Sequence, residues 1–437
     1  LYTLPDRQQH VIINIFEITT KTVRLQRRGS RYRKVNTVKI YKAITLTIIM
    51  ILIAALFAGC ATFDNFKATF IDKNDDTKAV VRIGIYEPTS GADKANGELE
   101  IEGIELAHEM YPTVNGKFVE LVYADNASDI HAAETAIKEL ILKNPSVILG
   151  SYGSVYSMVA GDYVKDAKIP AIAITNTNPL VTSNNGYYFR VCYVDSNQGD
   201  LLARYVLEEK KETTAGVLLP AEDDAAMAMA TAFTSRIKAE TDNEDAITVY
   251  EEYKHGATDF TKQLKAVKKA GVKSVLLPGD VTDAANIIKQ ADSMGLDVVF
   301  LGDKEWADNE FRKLTNGKAT EANTAFVNFY AAEETTNKEA EKFLKAYHKK
   351  YGNESVPEDS VALGYDAYII ALKAIDDADD NATSKEIRDV LKTQSGFQGA
   401  SGTITFNATG DPIKTAYIST WKNGSKIETL YTLDPLG

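Results

Sequence analysis

Residues 146–179, SVILGSYGSVYSMVAGDYVKDAKIPAIAITNTNP, constrain the fold more than any other stretch. A short apolar, β-branched run at 146–149 breaks into the small-residue loop 150–154. A helical pattern follows over 155–167, and a second apolar run at 169–174 ends in the polar loop Thr175-Asn176-Thr177-Asn178. Strand, loop, helix, strand and loop in about thirty residues make one βαβ unit. Both loops then lie at the carboxyl ends of parallel strands, where open sheets bind ligands. Ser151, Ser154, Thr175 and Thr177 are expected to turn hydroxyls and loop amides into one crevice. The amides before Val155 open a helix, a position that favours a carboxylate. The same hydroxyls equally suit plain capping of helices and turns.

The alternation runs on through the chain. Strand-like runs occur at 80–86, 118–123, 147–149, 171–174, 214–219, 247–250, 274–277 and 298–301. Helical patterns separate them at 98–110, 130–142, 197–210, 225–240, 260–269 and 282–294. This order argues for parallel, doubly wound sheets. The strands are too many for one sheet of ordinary size, so two lobes are expected. Three further helical segments follow at 338–350, 361–377 and 384–392, and a Gly-rich segment at 396–411.

The amino-terminal region differs in character. Residues 1–59 carry ten Lys/Arg against two Asp/Glu, whereas the remainder carries 39 against 59. An acidic body argues against nucleic acid or an anionic lipid surface as its main partner. The uncharged apolar run 43–59, preceded by Lys39 and Lys42, reads as a signal-peptide core rather than a spanning helix. The expected organisation is a non-native extension at 1–37, a signal peptide at 38–59 and a polar tether at 60–78. Lobe one is expected to comprise 79–195 with 328–394, and lobe two 196–327 with 395–437. Two cysteines cannot make a disulfide framework; Cys192, in FRVCYV, reads as a buried small hydrophobe.

From Val80 to Thr420 the chain resembles the type 1 periplasmic binding proteins, and within them the leucine/isoleucine/valine-binding branch of ABC importers. The residues that carry the resemblance are Gly150 to Ser154, Ile169-Pro170, Thr175 to Pro179, Glu87 to Gly91, Asp125, Phe189-Arg190, Asp195, Gln198-Gly199, Gly302-Asp303 with Trp306, Phe326 to Tyr330, Gly364 to Tyr368 and the closing Gly399 to Phe406. Leu56 to Cys60 resembles a lipoprotein signal-peptidase box, which implies a lipid on Cys60. The resemblance implies two Rossmann-like α/β lobes, each a parallel sheet flanked by helices, joined by a multi-strand hinge. It implies that Ser154, Thr175 and Thr177 hold an amino acid's carboxylate while Asp303, or Glu305, meets its ammonium. Hinge closure would trap the ligand.

The side-chain pocket departs from that branch. Asn96, Asp224 and Asp280 fall near positions that carry aromatics there, so the cleft is expected to be richer in carboxylates and to suit a polar or cationic side chain over leucine. Plain solvation of loop acids explains the same residues. Tyr152, Tyr156 or Trp306 could supply an aromatic wall. Among His108, His131, His255 and His348 no metal-ligand spacing occurs, and no Gly-x-Ser-x-Gly elbow, Walker loop or dinucleotide fingerprint follows a strand. The expectation is an extracytoplasmic monomer without cofactor or metal, partnered by an amino acid and an ABC permease, and not an enzyme. A ligand-sensing receptor module on the same fold is the alternative.

Overall fold

The computed structural model describes residues 80–334 and 337–433. The expected extension, signal peptide, lipidation site at Cys60 and tether lie outside the described residues.

Apolar runs buried on both faces, rather than alternating, build a parallel sheet covered by helices on each side. The first sheet contains β1 (Val81–Glu87), β2 (Thr113–Val114), β3 (Lys117–Asp125), β4 (Val147–Gly150), β5 (Ala171–Ala173) and β6 (Tyr188–Arg190), in the order β2-β3-β1-β4-β5-β6. All its pairings are parallel except the short β2–β3 hairpin. Helices α1 (Lys94–Met110), α2 (Ile130–Leu142) and α3 (Ser154–Ala167) connect the strands. Asp129 starts α2 by accepting the amides of His131 and Ala132.

After β6 the chain crosses into the second lobe. Helix α4 (Asp195–Arg204) ends in a single π-turn at Tyr205–Glu209, where the sequence pattern predicts one continuous helix over 197–210. Then follow β7 (Ala215–Pro220), α5 (Asp224–Thr241), β8 (Ile247–Tyr253), α6 (Thr261–Ala270), β9 (Ser274–Leu276), α7 (Val281–Ser293), β10 (Val299–Gly302), α8 (Asn309–Thr315) and β11 (Thr324–Asn328). The chain returns to the first lobe through α9 (Lys338–Tyr351), α10 (Asp359–Asp377) and α11 (Ser384–Thr393).

A small sheet of β12 (Phe397–Gly399), β13 (Gly402–Phe406) and β14 (Pro412–Ile413) comes next. The hairpin β15 (Ala416–Lys422) and β16 (Lys426–Leu433) closes the described chain. The hairpin adds antiparallel to β11, so the second sheet reads β16-β15-β11-β10-β9-β7-β8 and is mixed rather than purely parallel. The sequence reading places all of 395–437 in lobe two. The small sheet instead packs on the first lobe, because the Asp366 carboxylate on α10 accepts the amides of Ala400 and Ser401, and Asp411 accepts the Thr182 hydroxyl at 2.8 Å.

Two features of the core position the site. Helices α1 and α10 meet backbone to backbone: a Cβ on Gly103 would stand 1.9 Å from the Val361 carbonyl oxygen, and one on Gly364 2.2 Å from that of Glu100. Trp306 is fully buried and stacks on Phe311, ring centroids 4.5 Å apart, in the core of the second lobe. It forms no wall of the cleft. Cys192 is buried and free.

Candidate functional site

A cavity of about 400 Å³ opens where the carboxyl ends of β4 and β5 face those of β7, β9 and β10. The first lobe contributes Tyr152, Gly153, Ser154, Thr175, Asn176 and Thr177. Asp195 and Gln198, at the start of α4 just past the crossover, form one side. The second lobe contributes Asp223, Ala225, Ala226 and Met229 from the head of α5, Pro278 to Asp280 from the loop after β9, and Asp303 to Glu305 after β10.

Ser154 is the first residue of α3. The capping position is Gly153 at φ 83°, which supplies no side chain to the first amides of the helix. Those N–H groups and the helix dipole are directed at the cavity, the arrangement that holds a carboxylate. Ser154 Oγ itself accepts only a long bond, 3.4 Å, from the Asn178 amide.

Thr175 lines the cavity, but its hydroxyl donates to Glu100, a carboxyl with no exposure. The Thr177 carbonyl accepts the Asp195 amide at 3.1 Å, and its side chain bonds the Asp195 carboxylate. Burial raises the Asp195 carboxyl above its ordinary range.

Across the cavity, Asp303 accepts the amides of Glu305 at 3.0 Å and Gly279 at 3.4 Å. Burial and the neighbouring Glu305 charge push its carboxyl well above the usual range. Lys304 is buried. Burial alone would lower its ammonium, but the carboxylates of Asp359, Asp308 and Glu305 outweigh that and hold it well above its ordinary value. Burial pushes the Tyr152 phenol up to about 12, so the ring enters the cavity neutral.

The structure thus brings Ser154, Thr175, Thr177, Tyr152, Asp280 and Asp303 around one cavity and leaves Asp224, Asn96, Ser151 and Tyr156 off it. Asp224 is exposed at the first turn of α5, and its neighbour Asp223 takes the cavity position as the helix cap, accepting the Ala226 amide at 2.9 Å. Asn96 sits on α1 away from the lining. Ser151 is wholly buried, accepts from Asn126 Nδ2 at 2.6 Å and donates to the Tyr152 carbonyl, so its hydroxyl is structural. Tyr156 turns its hydroxyl to Asp93 at 3.0 Å. Glu100, Lys304 and Met229 are not singled out from sequence, and Asp223, paired with Asp224, reads there as a solvated helix-end charge, whereas it lines the cavity. A second hollow of about 670 Å³ lies elsewhere, between α8, α9 and the β15–β16 hairpin, away from these loops.

Residues 80–426 match the family described as periplasmic binding protein. Leu/Ile/Val-binding protein homolog 2 of Brucella abortus is 26% identical over 353 residues, covering 79% of this chain and 91% of that protein. The leucine-, isoleucine-, valine-, threonine-, and alanine-binding protein of Pseudomonas aeruginosa is 25% identical over 339 residues, 76% and 87% of the two chains. Among solved structures, a leucine binding protein from Thermotoga maritima superposes with a TM-score of 0.69 at 28% identity, covering 81% of this chain and 99% of that one. A branched-chain amino acid transporter substrate binding protein from Streptococcus pneumoniae, in complex with isoleucine, gives 0.68 at 26% identity, covering 82% and 99%.

Proposed function

The chain belongs to the periplasmic binding protein family, and we propose that it is the extracytoplasmic substrate-binding component of an ABC importer, capturing an amino acid or similar small amine between its two lobes. The observation that carries this reading is the charge layout of the cavity: uncapped α3 amides on one wall and, on the other, the Asp303 carboxyl, which among the described residues forms no ion pair with a lysine or arginine. A zwitterion fits that layout. Its carboxylate meets the α3 amides, Ser154 and Thr177, and its ammonium forms a charge-assisted bond to Asp303. The Pseudomonas relative is named for binding leucine, isoleucine, valine, threonine and alanine, and the Streptococcus structure holds isoleucine.

Contacts from both lobes favour closure, because a ligand touching one lobe equally in both states shifts nothing. Lobe one receives the ligand and lobe two swings Asp303 and the 278–280 loop onto it. The side-chain end of the cavity holds Asp223 and Asp280, and among the described residues no lysine or arginine ion-pairs with these or with Asp195, Asp303 or Glu305. That balance suits a polar or cationic side chain over leucine, with Met229 and Pro278 packing its methylenes. We further propose a monomer, anchored by a lipid on Cys60, that delivers its ligand to a permease.

Thermal unfolding of the purified protein against a panel of amino acids, amides, polyamines and sugars tests this. A ligand at about a hundred times its dissociation constant adds roughly 2.7 kcal/mol of stability. A shift of several degrees with one amino-acid class is expected, largest for basic or polar ones. A response to leucine alone removes the cationic preference; a flat panel removes the amino-acid reading.

A further inference from the structure

Both loops that carry the cavity's hydroxyls are tied to carboxyls deep beneath them. Glu87, the last residue of β1, accepts the Tyr152 amide through Oε2 at 2.6 Å. Glu100, on the buried face of α1, accepts the Thr175 hydroxyl through Oε1. Neither glutamate has any exposed surface. Their remaining oxygens, Glu87 Oε1 and Glu100 Oε2, are enclosed and meet no N–H or O–H donor among the described residues. The two carboxyls lie within hydrogen-bonding reach of each other.

Two ionised carboxylates are acceptors only, so an approach of this kind is satisfied only by a proton between them. The surroundings do not supply a substitute. Tyr86 and Tyr188 face Glu87, while Cys192, Tyr152, Lys304 and Asp359 face Glu100. Burial keeps the three phenols and the thiol neutral. The Lys304 charge favours an ionised Glu100 and the Asp359 charge opposes it, while among the described residues neither glutamate forms an ion pair with a lysine or arginine.

We propose that Glu87 and Glu100 share one proton, and that this pair positions the two ligand loops and sets the hydrogen-bond polarity of Thr175. With a single shared proton, Glu100 Oε1 takes the Thr175 hydrogen, and the threonine oxygen offers the cavity only lone pairs. When Glu100 Oε1 is itself protonated it donates to Thr175 instead, and Thr175 turns its own hydrogen into the cavity as a further donor for an anionic group. A carboxylate arriving there adds negative charge beside the pair and tightens its hold on the proton, so capture is linked to proton uptake. Glu87 and Glu100 are positioning residues in this scheme; neither touches the cavity.

Infrared spectroscopy of the full chain carrying ¹³C-labelled glutamate reads the pair directly. At pH 7 the wild-type protein should show a protonated-carboxyl stretch that shifts with glutamate labelling, which separates it from any protonated aspartate. Glu100→Gln should remove that band or displace it. The same proteins are then melted across pH. Both carboxyls bind protons more tightly folded than unfolded, and the Glu100 contribution falls as pH rises from about 4.5 through about 7. The drop in melting temperature between pH 5 and pH 8 should be smaller in Glu100→Gln than in wild type by roughly 3 °C. Glu87→Gln provides the same comparison if Glu100→Gln does not fold. The absence of a glutamate-specific protonated band in wild type, or parallel pH curves in wild type and the folding variant, overturns the proposal. Neither measurement uses a ligand, so the outcome is independent of what the cleft binds.

Discussion

The buried Arg190 guanidinium stands 2.7 Å from the Asp411 carboxylate, joining the end of β6 to the turn that precedes β14. Its other nitrogens donate to the carbonyls of Asn176 at 2.7 Å and Asn178 at 2.8 Å and to the Thr182 hydroxyl at 2.7 Å. One side chain therefore fixes the second ligand loop from behind, clamps the small sheet to the first lobe and sits where the chain leaves for the second. Removing one partner of a buried pair leaves an uncompensated charge and unpaired carbonyls. Arg190→Met should cost about 3 kcal/mol, the low end of the range because Asp411 is one-fifth exposed. Arg190→Lys should recover only part of it, since an ammonium cannot reproduce the planar fork. Urea unfolding measures both; a loss under about 1 kcal/mol for the methionine variant would show that the clamp carries little.

The α1–α10 contact makes a second prediction. With a Cβ at 103 only 1.9 Å from the Val361 carbonyl oxygen, Gly103→Ala forces the two helix backbones apart. Overpacking of this kind costs typically 1–3 kcal/mol. The displacement also moves Glu100, which lies on the same face of α1, and with it the Thr175 contact. Stability by denaturant and ligand affinity should therefore fall together. A stable Gly103→Ala protein with unchanged affinity would contradict the close approach.

Much of this architecture is legible in the sequence, and the reasons are local. Helix α2 begins and ends where its apolar spacing predicts, because Asp129 caps it with its own carboxylate. Strands β4 and β7 announce themselves as continuous apolar runs. The losses are also physical. Strand β6 has three residues, one of them Arg190, and its burial depends on Asp411 far along the chain. In Glu222-Asp223-Asp224 either aspartate could cap α5 from sequence alone, and choosing the wrong one rotates the other away from the cavity. Glu100 reads as one acid on an amphipathic helix. Only the Gly364 contact from α10 shows that its face is sealed.

The pH dependence of stability has a definite sign. Burial pushes the Asp308 carboxyl up to about 7 and the Asp366 carboxyl up to about 6, against an ordinary 3.8. Each binds its proton more tightly folded than unfolded, so its contribution is complete below about pH 4 and is lost as pH rises through about 6 and 7. Asp308→Asn removes one of these titrations while keeping the side chain's shape. Its melting temperature should decline less between pH 5 and pH 8 than that of wild type. Equal declines would mean that Asp308 is ionised throughout.

The two walls of the cavity are separable by substitution. Asp303 is held in place by backbone amides, forms no ion pair with a lysine or arginine among the described residues, and is pushed toward its neutral form by burial and Glu305, which outweigh the opposing Lys304 charge. Asp303→Asn keeps the Glu305 contact through its one remaining oxygen, gives up the long Gly279 contact and removes a poorly solvated charge, so the ligand-free protein should be about as stable as wild type at pH 8. Affinity should nevertheless fall, because a bond between an ammonium and a carboxylate contributes about 1.5–3 kcal/mol, roughly ten- to hundredfold in the dissociation constant. Ser154→Ala removes a hydroxyl but not the uncapped α3 amides, and should cost less, about 1 kcal/mol. Calorimetric titration with the amino acid that most raises the melting temperature reads both. Asp303→Asn binding as tightly as wild type would take the ammonium away from this aspartate, while a larger loss in Ser154→Ala than in Asp303→Asn would place the dominant contact on the first lobe.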